Sequence, residues 1–474
     1  MRRAILMFAL AASACAGPRP AVPKAAAVLP PPGWRDGGAA DAAVDAQWWQ
    51  GFGDPVLARL VECALAGNVD IEMAAARVDE ARARFSLAGA EQLPDLSLAA
   101  GGERDRHVDA FGQAVEETAG QGQVAISYDL DLFGRLRNAM AAAKATLLAS
   151  EAARDNVRLA VAASVASGYI QLRALDARLS VLQATLASRD ASLKVAQRRA
   201  DAGYSTALEL RQAQAQRDDA AQLIPATQLA IRRQEDGLSV LLGDNPGPIP
   251  RGAPLDALTL PPPAAVMPAA LLRRRPDIAA AEQQLVSADR SLDSARAAFL
   301  PSIQLNGTAG YVASSLLMSN PVSVFALGGS ILAPLFDAGR LRAEQRAQAA
   351  ERDVAAFAYR QAALNAFREV ENALDAVART DEQEAALIRE QQAASSLLTL
   401  ASNRYREGYS PYLEQVDAER GLLATDLAVV QIRADRLASA VTLYQAVGGG
   451  WDGSALAAAG ADSKSPAASQ PIAP

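Results

Sequence analysis

The hydrophobic positions of this chain change period several times. The first clear element opens at Asp54, a good helix start before Pro55, and a helical spacing then runs toward Leu93-Pro94, where the proline ends it. Beyond that point Val124, Ile126, Tyr128 and Leu130 alternate with Ala125, Ser127 and Asp129, the two-residue period of a strand. Residues 96–106 alternate more weakly and form its partner, with a polar loop around Asp105 to Glu117 that holds His107, the only histidine. The period then returns to helical for about seventy residues, from Gly134 to Gly203, without a proline. Val161, Val165, Gly168, Leu172, Leu175, Leu179, Leu182 and Leu186 recur there at alternating spacings of four and three, the seam of a helix packed on other helices. Such a helix is about 100 Å long at ~1.5 Å per residue, too long for a compact globule. A return helix follows from about Thr206 to Leu242, ended by GDNPGP.

After a proline-rich crossing the chain starts again. Asp70-Ile71 recurs as Asp277-Ile278 and Leu93-Pro94 as Leu300-Pro301, each 207 residues on, while Gly134-Arg135-Leu136-Arg137 recurs as Gly339-Arg340-Leu341-Arg342 and Gly203-Tyr204-Ser205 as Gly408-Tyr409-Ser410, each 205 residues on. One unit has been duplicated in tandem. In the second copy the strands are IQLNGTAGY and 322–335, the long helix runs from Gly339 to about Glu407, and the return helix from about Pro411 to Val447. The resulting division is a signal peptide at 1–14, a flexible linker at 15–45, a first repeat at 46–250, a second at 251–447 and a disordered tail at 448–474.

Composition narrows the chemistry. Of 474 residues half are hydrophobic and only 5% aromatic, which suits close-packed helices. A net charge of −7 leaves no basic excess for nucleic acid. With two cysteines and one histidine, a Cys/His zinc site and a disulfide framework are out of reach, and neither a catalytic triad nor a phosphate-binding loop is present. The reading is therefore of a non-enzyme without cofactor. His107 is read as a solvated loop residue, Cys63 as a small buried hydrophobe, and Arg273, Arg274 and Arg275 as surface charge and capping.

The N-terminus carries Arg2-Arg3, a short apolar run and then small residues, a secretion signal too short to span a membrane. Ala12-Ser13-Ala14-Cys15 resembles a bacterial lipobox, with alanine at position 12 in place of the usual leucine. That resemblance makes Cys15 the lipidated mature N-terminus, and Ala16 after it implies sorting to the outer membrane. An ordinary cleaved signal with an incidental cysteine is the competing reading.

Strands of about ten residues with one greasy face fit a tilted outer membrane barrel. Two repeats supply only four strands, which cannot close, and an open edge in lipid leaves backbone groups unpaired at several kcal/mol each. Other copies of the chain must complete the sheet.

The motifs WW-x-x-FGDP-x-L, YDLDLFGRLR (128–137), RRRPDI-x-x-AE-x-x-L (273–285), AAFLPSIQL, PLFDAGRLR (334–342), AGYSTALEL and EGYSPYLEQVDAER, in this order over about residues 45–447, resemble the TolC-like outer membrane factors. Within them the chain is similar to the efflux lipoprotein branch, the NodT/OprM-like type. The resemblance implies a mainly α fold with a membrane β-barrel part: a homotrimer whose four strands per chain make one twelve-stranded barrel, continued by a long α-helical periplasmic tunnel. It also implies a passive exit duct for small molecules in the bacterial outer membrane. The implied partners are a periplasmic adaptor (membrane fusion) protein, an inner membrane transporter of RND type and outer membrane lipid. A conduit for type I protein secretion and a non-conducting coiled-coil envelope lipoprotein are the alternatives.

By the same resemblance the turns Gly203-Tyr204-Ser205 and Gly408-Tyr409-Ser410 are the periplasmic tips where the tunnel closes and the adaptor docks. Glu414 and Asp417, three residues apart on one helix face, fall where the family has an acidic pore constriction. Glu209 and Tyr405 fall near positions that latch neighbouring helices. For the turns the plain alternative is a structural hairpin, and for the four side chains it is a solvated helix face.

Overall fold

The computed structural model describes residues 18–35, 44–262, 266–319 and 321–453. Cys15, the signal peptide and the last 21 residues, 454–474, lie outside them. In order along the chain the helices and strands are α1 (Pro55–Gly67), α2 (Val69–Ala90), β1 (Asp95–Val108), β2 (Ala114–Leu130), α3 (Arg135–Asp201), α4 (Ala207–Leu242), α5 (Pro268–Arg274), α6 (Pro276–Ala297), β3 (Ser302–Ser314), β4 (Val322–Leu332), α7 (Arg340–Arg406) and α8 (Tyr412–Ala446). Short 3₁₀ turns at Lys24–Ala26, Trp48–Phe52 and Leu255–Ala257 complete the set. The duplication is visible element by element: α2 and α6 have 22 residues each, α3 and α7 have 67 each, and α4 and α8 have 36 and 35.

The described residues divide into two compact units, the first drawn from 18–28, 76–151 and 280–361, the second from 29–75, 152–279 and 362–453. The first unit is built around a four-stranded antiparallel sheet in the order β1-β2-β3-β4. Its register sorts the side chains by chemistry. Leu96, Ile126, Gly307 and Leu327 form one cross-strand row, and Leu98, Val124, Ala309 and Phe325 the next on the same face. The opposite face carries rows such as Ser97, Ala125, Thr308 and Ala326. Leu96, Leu98, Val124, Ile126, Leu305, Phe325, Leu327 and Ile331 are all exposed, so the chain itself does not cover its greasy face. Among the described residues, both β1 and β4 present an edge without a strand partner. At its far end the sheet turns charged, where Arg104 and Arg106 lie 3.3 and 3.6 Å from Glu116.

Three details of this unit depart from the sequence reading. The β1–β2 hairpin turn spans only Asp109 to Gln113, with Asp109 Oδ1 accepting from Phe111 N and Gln113 N, so His107 sits in β1 beside Asp105 rather than in a loop. The second strand of the second repeat ends at Leu332 rather than residue 335. Within the stretch 15–45 read as a flexible linker, residues 19–21 are held in place: Arg19 pairs with Asp289 at 2.7 Å and Asp293 at 3.0 Å, while Arg352, 1% exposed, donates to the carbonyls of Pro20 and Ala21. A Pro/Ala stretch has too little apolar side chain to fold alone, but its carbonyls are acceptors that long arginines can reach.

The second unit is helical. Val161, Val165, Leu172 and Leu182 of the α3 seam are buried, as the four-three spacing requires. Asp54 caps α1 by accepting from Val56 N, and its other oxygen accepts from the Tyr169 hydroxyl at 2.8 Å and Ala253 N at 2.9 Å. Burial and the Asp54 carboxylate push the Tyr169 phenol up to about 12. The helix read as continuous from Pro55 breaks at Asn68, whose Oδ1 accepts from Asp70 N and Ile71 N and so starts α2 afresh. Cys63 faces outward on α1 and is exposed rather than buried. Arg275 is buried rather than on the surface, and Trp34 is buried with its Nε1 donating to Val266 O at 2.7 Å. The tail begins later than residue 448, since Trp451 Nε1 donates to Asp155 at 3.0 Å.

Candidate functional site

The two glycine turns lie in the second unit and are built alike. In the first, Tyr204 N donates back to Arg199 O at 2.8 Å and Gly203 N to Ala200 O at 3.0 Å; in the second, Tyr409 N donates to Arg404 O at 2.8 Å and Gly408 N to Tyr405 O at 3.1 Å. This pair of bonds closes a helix end through a residue in the left-handed region, which Gly203 (φ +76°) and Gly408 (φ +81°) enter without the clash a Cβ brings. The next helix then starts at once: Thr206 Oγ1 accepts from Glu209 N, and Pro411 precedes α8 with its carbonyl accepting from Glu414 N. Tyr204 and Tyr409 project outward, 86% and 79% exposed, with Leu208 and Leu413 exposed beside them. Ser205 and Ser410 turn their hydroxyls inward, where neither finds a hydrogen-bond partner among the described residues.

A small core joins the turns. Ala196, Ala213, Tyr405, Tyr412 and Val416 are buried together with Leu193 packed on them, and the Tyr405 and Tyr412 rings sit 5.1 Å apart. The sequence placed Tyr405 near a latch, and the structure does bury it at the turn. Among the described residues, however, its hydroxyl has no partner, and no bond joins it to the Glu209 side chain. Burial and then the charge of Glu419 raise the Tyr412 phenol pKa.

Glu414 and Asp417 share the exposed face of the first turns of α8. Glu414 lies 3.7 Å from Arg404 across the turn, a solvent-exposed pair of little energetic weight that still offsets part of its charge. Asp417 has no such pair among the described residues.

One cluster was not read from the sequence. Arg189 (3% exposed) and Glu419 (7% exposed) are buried about one turn of helix beyond Leu193 and Val416 of the tip core. Arg189 Nη1 donates to Gln216 O at 2.5 Å, and Glu419 Oε1 accepts from Gln415 at 2.8 Å and from Ser192 at 3.4 Å. Burial lowers the Arg189 pKa, with Glu419 and Asp219 opposing it. The signal was available: the four-three seam continues from Leu182 and Leu186 to Arg189, Leu193 and Ala196, so a charge occupies a core position.

An open sheet with one lipid-compatible face, carried on a chain of very long helical hairpins, defines a channel-forming protein that contributes part of a barrel and part of a tunnel per copy. Among the described residues no helix is long and apolar enough to cross a membrane. The comparisons agree with that class. The profile of the outer membrane efflux protein family matches residues 60–244 and 267–449, one stretch per repeat. The chain is similar to the pyoverdine export outer membrane protein OpmQ of Pseudomonas putida, 33% identical over 94% of this chain and 97% of that one. It is also similar to the solvent efflux pump outer membrane protein SrpC of Pseudomonas putida, 34% identical over 84% and 86%. The crystal structure of the open state of the Neisseria gonorrhoeae MtrE outer membrane channel superposes with a TM-score of 0.81 at 29% identity, covering 91% of this chain and 98% of that one. This chain belongs to the outer membrane efflux protein family and is an outer membrane efflux channel.

Proposed function

We propose that three copies of the chain close one twelve-stranded barrel and form the passive outer membrane exit of a tripartite pump, supplied by a periplasmic adaptor and an inner membrane transporter. The observation that carries this reading is the open sheet: four strands, both edges unpaired, with the apolar rows exposed on one face. Edge pairing between β4 of one copy and β1 of the next supplies partners for the open edges and leaves the apolar face for lipid. The printed names of the relatives, for pyoverdine and for solvents, support small organic molecules as cargo. Cys15, as the lipidated residue, would add an acyl anchor to that barrel.

The turns around Gly203 and Gly408 then form the periplasmic end. The turns Tyr204-Ser205 and Tyr409-Ser410 offer the adaptor two matched surfaces, each presenting an exposed tyrosine ring. Glu414 and Asp417 line the constriction, where three copies converge six carboxylates and concentrate cations in a narrow, poorly screened passage. Glu209, in the first turn of α4, and Tyr405 hold that end closed. Replacing Glu414 and Asp417 together by alanine is expected to lower cation selectivity in single-channel recordings with trimer yield unchanged, because exposed carboxylates add little stability. Wild-type selectivity in the double variant would reduce the pair to a solvated face.

A further inference from the structure

The register that sorts the apolar rows of the sheet also sorts its charges. In the four described strands Arg104 and Arg106 are the only arginines, and no lysine occurs. Both lie an even number of residues beyond Leu96 and Leu98 on an unbroken ladder, so both point to the apolar face. Glu103, Asp105 and His107 of β1 alternate with them, and Glu117 of β2 likewise points to the other face. Glu116 is the one carboxylate of these strands on the arginines' side, 3.3 and 3.6 Å from them.

Their height follows from the same ladder. The apolar rows start at Leu130, Ile303 and Ile331, near the helices, and end at Ala100, Gly122 and Tyr311. From residue 130 to 122 of β2 is about 27 Å of strand, comparable once tilted with the ~25 Å apolar belt of a barrel. Tyr311, 61% exposed, stands at the outer rim of that belt, where tyrosine meets the membrane boundary. The next row, Gly102, Gly120 and Ala313, carries nothing larger than a methyl group. Packing does not demand its glycine on β2: a Cβ on Gly120 would meet only a carbonyl oxygen at 3.9 Å, and one on Gly122 nothing within 4 Å. Arg104 and then Arg106 follow, the first about 14 Å along the strand from the rim. The strand ends nearest the helices face the periplasm, so this corner stands in the outward headgroup layer.

We propose that the corner binds one phosphorylated glycolipid of the outer leaflet per copy. The phosphate takes the two guanidinium forks, the sugar lies over the shelf at Gly102 and Gly120, and the acyl chains run down over Leu98 and Val124. Charge complementarity carries the phosphate. Two arginines with side chains 75% and 70% exposed face a single carboxylate, and such exposed pairs are weak enough for a phosphate to join or displace Glu116. The shelf selects a glycolipid. A glycerophospholipid carries its phosphate directly on glycerol and has no ring to place between the arginines and the apolar rows. The inference rests on the barrel reading, with the hairpin ends facing outward.

The test titrates lipid A, a bis-phosphorylated acylated glucosamine disaccharide, onto the full-length oligomer in mild detergent, with native mass spectrometry counting bound lipids. Wild type is expected to take one per copy. Arg104→Gln/Arg106→Gln should weaken binding about tenfold or more, the scale of losing charge-assisted hydrogen bonds. Glu116→Gln should tighten it several-fold, and Gly120→Leu should weaken it by filling the shelf with both arginines in place. Asp105→Asn, on the other face, should leave it unchanged. Dephosphorylated lipid A should bind wild type no better than lipid A binds the double variant.

Wild-type affinity in the double variant overturns the proposal, as does a Glu116→Gln variant that binds no tighter. Equal binding of phosphatidylglycerol, or wild-type affinity in Gly120→Leu, rejects the glycolipid. Displacement by millimolar inorganic phosphate reduces the corner to a free-anion patch and rejects the lipid. A wild-type chain that forms no oligomer rejects the barrel reading underneath, whereas an intact oligomer that takes no lipid A rejects this proposal alone.

Discussion

Replacing Arg275 by alanine should loosen the place where α8 ends. Arg275 is 7% exposed and makes three separate contacts: a fork to Asp277 at 2.9 and 2.7 Å, an ion pair with Glu369 at 2.7 Å and a hydrogen bond to Ala446 O at 2.8 Å. Burial alone lowers the guanidinium pKa, but the hydrogen bonds and charges of Asp277 and Glu369 outweigh it and raise it. Removing one member of a buried pair costs about 3–5 kcal/mol, because the remaining charges and the carbonyl lose their partner. The side chains of Asp277 and Glu369 keep 29% and 43% of their exposure and can recover water, which sets the loss near the lower end, about 3 kcal/mol. That corresponds to roughly 150-fold in a local opening equilibrium. Exchange measured by mass spectrometry on peptides covering residues 440–447 and 276–285 should accelerate on this scale. Arg275→Lys, a point charge without the fork, should recover only part of the protection. Arg273→Ala, an exposed change two residues away, should do nothing. Equal protection in wild type and Arg275→Ala would refute the argument that this ion cluster holds the end of α8.

Two further outcomes follow from the same kind of accounting. A Cβ on Gly252 would sit 2.1 Å from Asp54 Oδ1, so Gly252→Ala must push apart the Asp54, Tyr169 and Ala253 network; thermal melting of the variant should fall well below that of Tyr169→Phe, which removes one hydroxyl and leaves the space intact. Cys15→Ser should abolish labelling by radioactive fatty acid while conductance persists, and undiminished labelling would reject Cys15 as the acylated residue.

The long helices and the sheet were legible because their periods are long and uninterrupted. Glycine marked both turns, and proline or a turn marked most strand ends. The breaks set by side chains were harder: Asn68 stops α1 by hydrogen bonding within a helical pattern that spacing alone would carry through. Burial of charge was the other blind spot. Arg275 looks like surface charge in the run Arg273-Arg274-Arg275, and only the fold brings Glu369 and Ala446 to it. Arg189 and Glu419 could have been found, since Arg189 continues the α3 seam and Glu419 lies three residues after Val416 and seven after Tyr412 on α8. The Pro/Ala segment after residue 17 was misread for a related reason, its attachment being made by main-chain carbonyls that composition does not reveal.

The central claim is that an unclosed four-stranded sheet becomes a pore only when copies of the chain share their edges. Light scattering on the full-length protein in mild detergent, followed by reconstitution of the same sample into a planar bilayer, tests it most directly. A trimer that conducts and prefers cations is the predicted result. A monodisperse monomer, or a trimer that never conducts even with the acidic pair replaced, would contradict it.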